Sequence, residues 1–129
     1  MASSSPPEGY HTVTTYLLVS DAARLLDFAR EGLGARELSR HVDDDGRVRH
    51  AEIQIGDTIV MLGQAEGEFP PMPSMLYHYV ADADASYERA LAAGATSVRP
   101  PADQHYGDRS GGVIDPVGNQ WWFATPRER

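Results

Sequence analysis

The hydrophobic and polar positions along the chain predict short strands and helices in alternation. Residues 11–19 are β-branched, aromatic or leucine, which predicts a strand buried on both faces. Ser20 or Asp21 then has the chemistry of a helix N-cap, and Gly34 is typical of the residue that follows a helix. The stripe between them predicts an amphipathic helix, and its apolar members are Ala22, Leu25, Leu26, Phe28, Ala29 and Leu33.

Three further features complete this first half of the chain. Residues 47–55 alternate between polar and apolar side chains, which predicts a strand with one buried face. Gly56-Asp57 predicts a hairpin turn into a second buried strand over 58–62. Residues 66–74 contain three prolines and therefore predict an irregular connector.

The same pattern occurs twice, at an offset of about 61 residues. Val19-Ser20-Asp21-Ala22 returns as Val80-Ala81-Asp82-Ala83, Gly34-Ala35 as Gly94-Ala95, and Gly56-Asp57 as Gly118-Asn119. One copy has a single helix and an incompletely covered sheet, so it cannot close a core alone. The sequence therefore predicts an α+β fold of two tandem βαβββ modules that form a curved mixed sheet around a cleft.

Length and composition limit the organisation and the partners. The 129 residues predict a single domain over 10–126, preceded by a flexible lead-in over 1–9 and followed by a tail over 127–129. Module one is expected at about 10–64, the connector at 65–73 and module two at 74–126. A net charge of −8 argues against nucleic acid, and the absence of cysteine excludes disulfides and thiolate metal sites. No apolar run approaches the roughly 20 residues that span a bilayer, so we expect no membrane partner and a cytoplasmic protein.

Two motifs in the second half carry a family resemblance. They are Tyr106-Gly107-Asp108-Arg109 and Asp115-Pro116-Val117-Gly118-Asn119-Gln120-Trp121. With the paired modules, the chain resembles the vicinal oxygen chelate superfamily, which contains glyoxalases, extradiol dioxygenases and bleomycin-resistance proteins, and most of all its PhnB-like branch. The resemblance covers about residues 10–126. It also implies a homodimer in which each cleft can draw on both subunits.

The resemblance permits a test for a metal site. Metal-using members take their ligands from the first and last strands of each module, and the corresponding positions here are Thr14, Val60, Met75 and Trp122. None is a histidine or a carboxylate, the donors that a zinc, iron or manganese ion needs. We therefore expect no metal and no other cofactor. The alternative is a displaced metal site that uses His11, His50, Glu52 or His78.

Large side chains at cleft positions point to an organic ligand. Strand alternation turns one set of side chains toward the cleft, and the predicted ligand-binding residues are Thr14, Tyr16, Met75, Tyr77, Tyr79 and Trp122. Aromatic faces with hydroxyl groups suit a planar or hydrophobic compound, although the same aromatics could serve only as core packing.

Arg109 is a further ligand candidate because of its place in the chain. Residues 100–112 predict a long loop of the kind that often acts as a lid. Arg109 in this loop either binds a ligand carboxylate or phenolate, or pairs with Asp108 or Asp115 and fixes the loop.

His50, Glu52 and Gln54 lie on one face of a predicted strand, where a histidine beside a carboxylate could act as a general base. Two patterns disagree about which face of this strand points to the cleft. The Gly56-Asp57 turn places Ile53 opposite Val60, which would send Glu52 away from the cleft. The hydrophobic pattern sends Glu52 inward, and a bulge would reconcile the two. A solvated strand face is the alternative.

These observations lead to three hypotheses for function. The leading one is a small-molecule-binding protein, of the antibiotic-resistance or sequestration type, that takes an aromatic ligand without a metal. The second is a metal-independent acid–base enzyme in which His50 or Glu52 moves a proton on a small metabolite. The third is a metal-dependent lyase, isomerase or dioxygenase with relocated ligands.

Overall fold

The computed structural model describes residues 5–127, so residues 1–4 of the predicted lead-in and residues 128–129 of the predicted tail lie outside the described residues. Module one consists of β1 (Tyr16–Val19), α1 (Ala22–Gly32), β2 (Arg36–Val42), β3 (Val48–Ile55) and β4 (Thr58–Gln64). Module two consists of β5 (Met75–Tyr79), α2 (Ala83–Ala92), β6 (Thr96–Asp103), β7 (Asp108–Ile114) and β8 (Gln120–Pro126). The predicted α+β fold of two tandem βαβββ modules is confirmed.

The strands are divided between two four-stranded sheets with the same topology. The first sheet has the order β1-β4-β3-β2 and the second has the order β5-β8-β7-β6. In each sheet the first strand of the module runs parallel to the last one, and the other neighbours are antiparallel. Each sheet is therefore mixed, and β1 and β5 are edge strands.

Corresponding residues begin the two helices in the same way. The Asp21 carboxylate accepts a hydrogen bond from the Arg24 backbone N–H, and the Asp82 carboxylate accepts one from the Ala85 N–H, each at 3.1 Å. These contacts satisfy backbone donors that lack a partner within the helix. The predicted N-cap at Asp21 and its repeat at Asp82 are thus confirmed.

The two helices join the modules into one core. Each helix packs on its own sheet, and the helices also contact each other, with Arg89 Nε donating to the Glu31 carbonyl oxygen at 2.7 Å. Leu17 and Leu62 from the first sheet and Phe123 from the second are completely buried in the same apolar cluster. Each sheet consequently has one face covered by a helix and one open face without a helix.

Two predicted boundaries are wrong. The strand expected from residue 11 begins only at Tyr16, because the Thr14 hydroxyl donates to the His11 carbonyl oxygen across a local turn. The expected lid over 100–112 is instead the end of β6 and most of β7, joined by a short turn. Prolines are compatible with β6 because it is an edge strand with an irregular register beside β7.

Candidate functional site

The open face of the second sheet carries an aromatic cluster, which consists of Met75, Tyr77, Tyr79 and Trp122. Tyr77 and Tyr79 alternate along β5, and their rings meet edge to face with centroids 5.3 Å apart. Trp122 lies directly opposite Tyr77 on β8. Met75 is 67% exposed and Tyr79 is 61% exposed, so these side chains do not serve as core packing. Large apolar groups held at a surface in this way are typical of a binding site.

A glycine opposite Trp122 determines how the indole lies. Gly112 on β7 is the cross-strand partner of Trp122, and a Cβ atom at Gly112 would lie 2.6 Å from Trp122 Cδ2 and Cε2. The ring therefore rests directly on the backbone of β7. Trp122 Nε1 donates to Gln120 Oε1 at 3.0 Å, which fixes the ring further. The result is a flat aromatic surface of the kind on which a planar ligand can stack.

The Tyr77 hydroxyl is fixed by a buried carboxylate. It donates to Asp108 Oδ2 at 2.7 Å, and Asp108 is only 2% exposed. Burial and hydrogen bonds with Tyr106 and Asp108 raise the pKa of Tyr77 well above its usual value. Tyr77 consequently stays protonated at neutral pH.

A groove runs beside the aromatic cluster, along the outer edge of β5. Its volume is about 740 Å³, within the range of small-molecule pockets. One wall is β5 with the residue before it, and the other includes the β3–β4 turn at residues 55–58. Met75, Tyr77 and Tyr79 line this groove, so three of the predicted ligand-binding residues share one cavity.

The open face of the first sheet carries a hydrogen-bonded triad of Tyr16, His50 and Glu52. Tyr16 Oη lies 3.3 Å from His50 Nδ1, and His50 Nε2 lies 3.1 Å from Glu52 Oε2. Tyr16 reaches His50 because it crosses Gly63, where a Cβ atom would overlap the Tyr16 hydroxyl. If Nε2–H donates to Glu52, the lone pair on Nδ1 is free to accept the Tyr16 proton, as a general base requires.

The surroundings of His50 favour its neutral form. Partial burial, and to a smaller degree the neighbouring His41, hold the pKa of His50 below its ordinary value of 6.5. The His41 ring lies edge-on to His50 with centroids 5.7 Å apart. His50 is therefore uncharged at pH 7 and able to take up a proton.

The structure removes the conflict over the facing of β3. Ile53 does lie opposite Val60, as the turn predicts, but both side chains are buried on the helix-covered face. Glu52 then projects from the open face without any bulge between β3 and β4. Val60 is 3% exposed and lines the groove beside β5 from the helix-covered face. The residues of β4 on the open face include Ile59 and Met61.

The residues that the resemblance places at the family's metal-ligand positions lack metal-binding side chains. Thr14 donates its hydroxyl to a backbone carbonyl, Val60 lies in the core, and Met75 and Trp122 are parts of the aromatic cluster. Hard and borderline divalent ions require imidazole or carboxylate donors, which these residues lack. Within residues 5–127, no group of three or more histidine, aspartate and glutamate side chains is arranged to hold a metal ion.

Arg109 is held away from the aromatic cluster. It forms ion pairs with Asp84 at 2.7 Å and with Asp103 at 3.3 Å, in place of the expected partners Asp108 and Asp115. Asp84 belongs to α2, so the guanidinium lies toward the helix-covered face. These contacts raise the pKa of Arg109 further above its usual value. Arg109 therefore ties β7 to α2.

His78 lies on the helix-covered face of β5, as its repeat position predicts. Its ring packs beside Phe123 with centroids 5.7 Å apart, and burial lowers its pKa. His78 Nδ1 is buried and has no hydrogen-bond partner among the described residues. It lines the groove beside β5 but belongs to a different sheet from His50 and Glu52.

The motif at residues 115–121 has a structural role. Asp115 is 3% exposed and accepts hydrogen bonds from the backbone N–H groups of Val117 and Asn119 and from Trp121 Nε1. The Asn119 side chain accepts in turn from the Ser74 N–H. The motif thus fixes the β7–β8 turn and the start of β5, and it positions the aromatic cluster. Its last residue, Trp121, also lines the groove beside β5.

Two helices covering paired mixed sheets, each with an open face, define the fold of the vicinal oxygen chelate proteins. Residues 10–123 match the glyoxalase/bleomycin resistance protein/dioxygenase superfamily. The chain belongs to this superfamily.

Several other proteins are similar to this chain in sequence or in fold. The chain is 36% identical over 128 residues to the uncharacterized protein Mb0911c of Mycobacterium bovis, a match that covers 88% of this chain and 82% of the relative. TioX from Micromonospora sp. ML1 is 28% identical with a TM-score of 0.77, covering 90% of this chain and 98% of TioX. A PhnB protein from Bacillus cereus shares the fold at 18% identity and a TM-score of 0.70, covering 89% of this chain and 99% of the other.

Sequence reasoning missed two polar residues of these faces. His41 lies opposite His50 across the β2–β3 hairpin, and the Asp43–Gly46 turn signal could have revealed this pairing. Asp108 was considered only as a partner for Arg109, whereas strand alternation places it on the opposite face, against Tyr77.

Proposed function

We propose that the protein binds a small aromatic compound on the open face of the second sheet and holds it without a metal. The aromatic cluster carries this proposal, because Tyr77, Tyr79 and Trp122 are fixed by neighbours yet remain accessible to a ligand. Stacking on Trp122 and burial against the neighbouring aromatic side chains would supply most of the binding energy. Such a protein would act by sequestration, the antibiotic-resistance type of activity in this superfamily.

Metal independence is part of the proposal. It rests on the residues at the ligand positions of the superfamily, Thr14, Val60, Met75 and Trp122, which lack the required donor atoms. We also propose a cytoplasmic location and no role for nucleic acid or membranes. Neither helix among residues 5–127 is long and apolar enough to cross a membrane.

We further propose a homodimer that completes the binding cleft. The outer edge of β5 borders the groove, whereas β1 has part of its outer edge covered by a bridge between Leu18 and Met72. An open strand edge favours pairing with another chain. Native mass spectrometry with elemental analysis tests this and metal independence together. Dimer mass without stoichiometric metal is the expected result, and one tightly held metal ion per chain would contradict the proposal.

Replacement of Trp122 tests the ligand site. We expect Trp122→Ala to weaken the binding of a planar probe such as 2-naphthamide by about tenfold or more, since a stacked aromatic contact is worth about 0.5–1.5 kcal/mol beyond its buried area. Isothermal titration calorimetry gives the dissociation constants directly.

Phe69→Ala is the matched control, because Phe69 is an exposed aromatic residue of the connector, 60% exposed. It should leave the dissociation constant unchanged. Equal affinities for the wild type and Trp122→Ala would remove the aromatic cluster from the site.

A second candidate function is metal-independent acid–base catalysis by the Tyr16–His50–Glu52 triad. The observation in its favour is the continuous hydrogen-bonded chain from a hydroxyl through an imidazole to a carboxylate. Glu52 would fix the tautomer of His50, and His50 would exchange a proton with Tyr16 or with a bound metabolite.

Glu52→Gln tests this candidate. We expect the variant to remain as stable as the wild type in urea, because Glu52 lies at an open face, and to lose at least tenfold in turnover of any substrate found. Wild-type activity should fall as the pH drops through the lowered pKa of His50, because protonation removes the base. Unchanged turnover in Glu52→Gln, together with wild-type activity that does not fall at any pH below 6.5 at which the protein stays folded, would exclude the triad.

A further inference from the structure

The open face of the second sheet continues beyond the aromatic cluster to an arginine. Tyr77 pairs with Trp122, Trp122 pairs with Gly112, and Gly112 pairs with Arg99 of β6. Side chains of directly opposite residues project from the same face of a sheet. Arg99 therefore ends a row that crosses all four strands of the second sheet. Within this row the Trp122 ring rests on Gly112, between Tyr77 and Arg99.

A register shift places Arg99 on this face. Ser97 lies opposite Val113 and bonds Tyr87 of α2, so it faces the helix. Arg99 lies opposite the next residue, Gly112, and Val98 is the extra residue between the two pairs. Bulges of this kind redirect a side chain. Without the extra residue, the position of Arg99 would face the helix.

Arg99 differs in its contacts from three other arginines of the sheets, whereas Arg36 of β2 donates to the Gln54 side chain and likewise has no carboxylate partner among residues 5–127. Arg40, Arg49 and Arg109 each form an ion pair with a carboxylate. Among residues 5–127, no carboxylate pairs with Arg99. The chain has 19 acidic residues against 11 basic ones, so carboxylates are plentiful, and this guanidinium is nevertheless without one.

From this arrangement we propose that the ligand of the aromatic cluster is an aromatic anion, and that Arg99 binds its carboxylate or a similar planar acid. The inference rests on the proposed function of the same face. The ring would stack on Trp122 and Tyr77, and the acid would extend past Gly112 to the guanidinium. Arginine suits this role because its planar fork binds a carboxylate through two parallel hydrogen bonds.

Because the whole protein is negatively charged, a preference for an anionic ligand over a neutral one would indicate a cation at the binding site. A net charge of −8 repels anions in general, so tighter binding of an anion must come from a local cation. The matched probes are 2-naphthoate and its neutral isostere 2-naphthamide, which share the ring and differ in charge. Charge-assisted hydrogen bonds predict that the wild type binds the naphthoate about tenfold more tightly.

Arg99→Gln should abolish this tenfold discrimination and leave naphthamide binding unchanged, both measured by calorimetry. Arg47→Gln is the control and should retain the discrimination. Arg47 is an exposed arginine of the first module, and its guanidinium forms no ion pair with any of residues 5–127. Circular dichroism verifies that both variants fold.

The outcomes separate the two proposals. Equal affinities of the wild type for both probes, or discrimination that persists in Arg99→Gln, would overturn the role of Arg99 while leaving the aromatic site intact. Two results together support both proposals. Trp122→Ala should weaken naphthamide binding, and the preference for naphthoate should be lost in Arg99→Gln but kept in Arg47→Gln. If neither probe binds the wild type, the proposed function fails, and with it the inference about Arg99.

Discussion

Asp115→Ala is expected to lower the free energy of unfolding by about 3 kcal/mol, because it leaves several buried donors without an acceptor. The carboxylate accepts from two backbone N–H groups and from the Trp121 indole, and its position at 3% exposure prevents water from replacing it easily. Urea unfolding followed by far-ultraviolet circular dichroism measures the change.

Asp44→Ala provides the matched control. Asp44 is an exposed aspartate in the β2–β3 turn, and removal of such a surface group changes stability by about 0.5 kcal/mol or less. A loss below about 1 kcal/mol in Asp115→Ala would show that the turn between β7 and β8 does not depend on this carboxylate.

Gly112→Ala is expected to destabilise the protein by about 1–3 kcal/mol, the usual cost of overpacking. An alanine would ordinarily stabilise a strand relative to glycine, and Gly112 does not have a positive φ angle that would oppose it. The expected loss comes from the contact of 2.6 Å between the new Cβ atom and the Trp122 ring. The displaced indole should also weaken binding of 2-naphthamide.

A double-mutant cycle isolates this contact. In a Trp122→Ala background the ring is absent, so Gly112→Ala should cost little, and the coupling energy should be about 1 kcal/mol or more. Denaturant unfolding of the four proteins gives the cycle. Equal effects of Gly112→Ala in both backgrounds would show that the indole does not rest on Gly112.

Local signals predicted much of the secondary structure. Asp21 and Asp82 act as N-caps, and the Gly56-Asp57 turn joins β3 to β4 in the expected register. These features depend on contacts between residues close in the chain, where hydrogen-bonding chemistry and glycine conformation act directly. The β6–β7 hairpin was missed because its prolines resemble a loop, and only the edge position of β6 makes them compatible with a strand.

The facing of the candidate site residues was predicted in part. The sequence pattern predicted that Tyr77, Tyr79 and Trp122 share one face, because alternation along a strand determines which face each side chain occupies. It also placed Tyr16 in the same cleft, whereas Tyr16 lies on the other sheet and bonds to His50. Which strands share a sheet depends on packing between distant segments, and this information is absent from a local pattern.

The sequence by itself determined the two modules, their helix caps, the Gly56-Asp57 turn and the family to which they belong, because each of these follows from a local pattern. Only the tertiary structure decided that Arg109 pairs with Asp84 on the helix side and that Val60 lies in the core. The same holds for Arg99, which a bulge turns toward Trp122. Ion pairs and bulges depend on the register between strands, and register is a property of the assembled sheet.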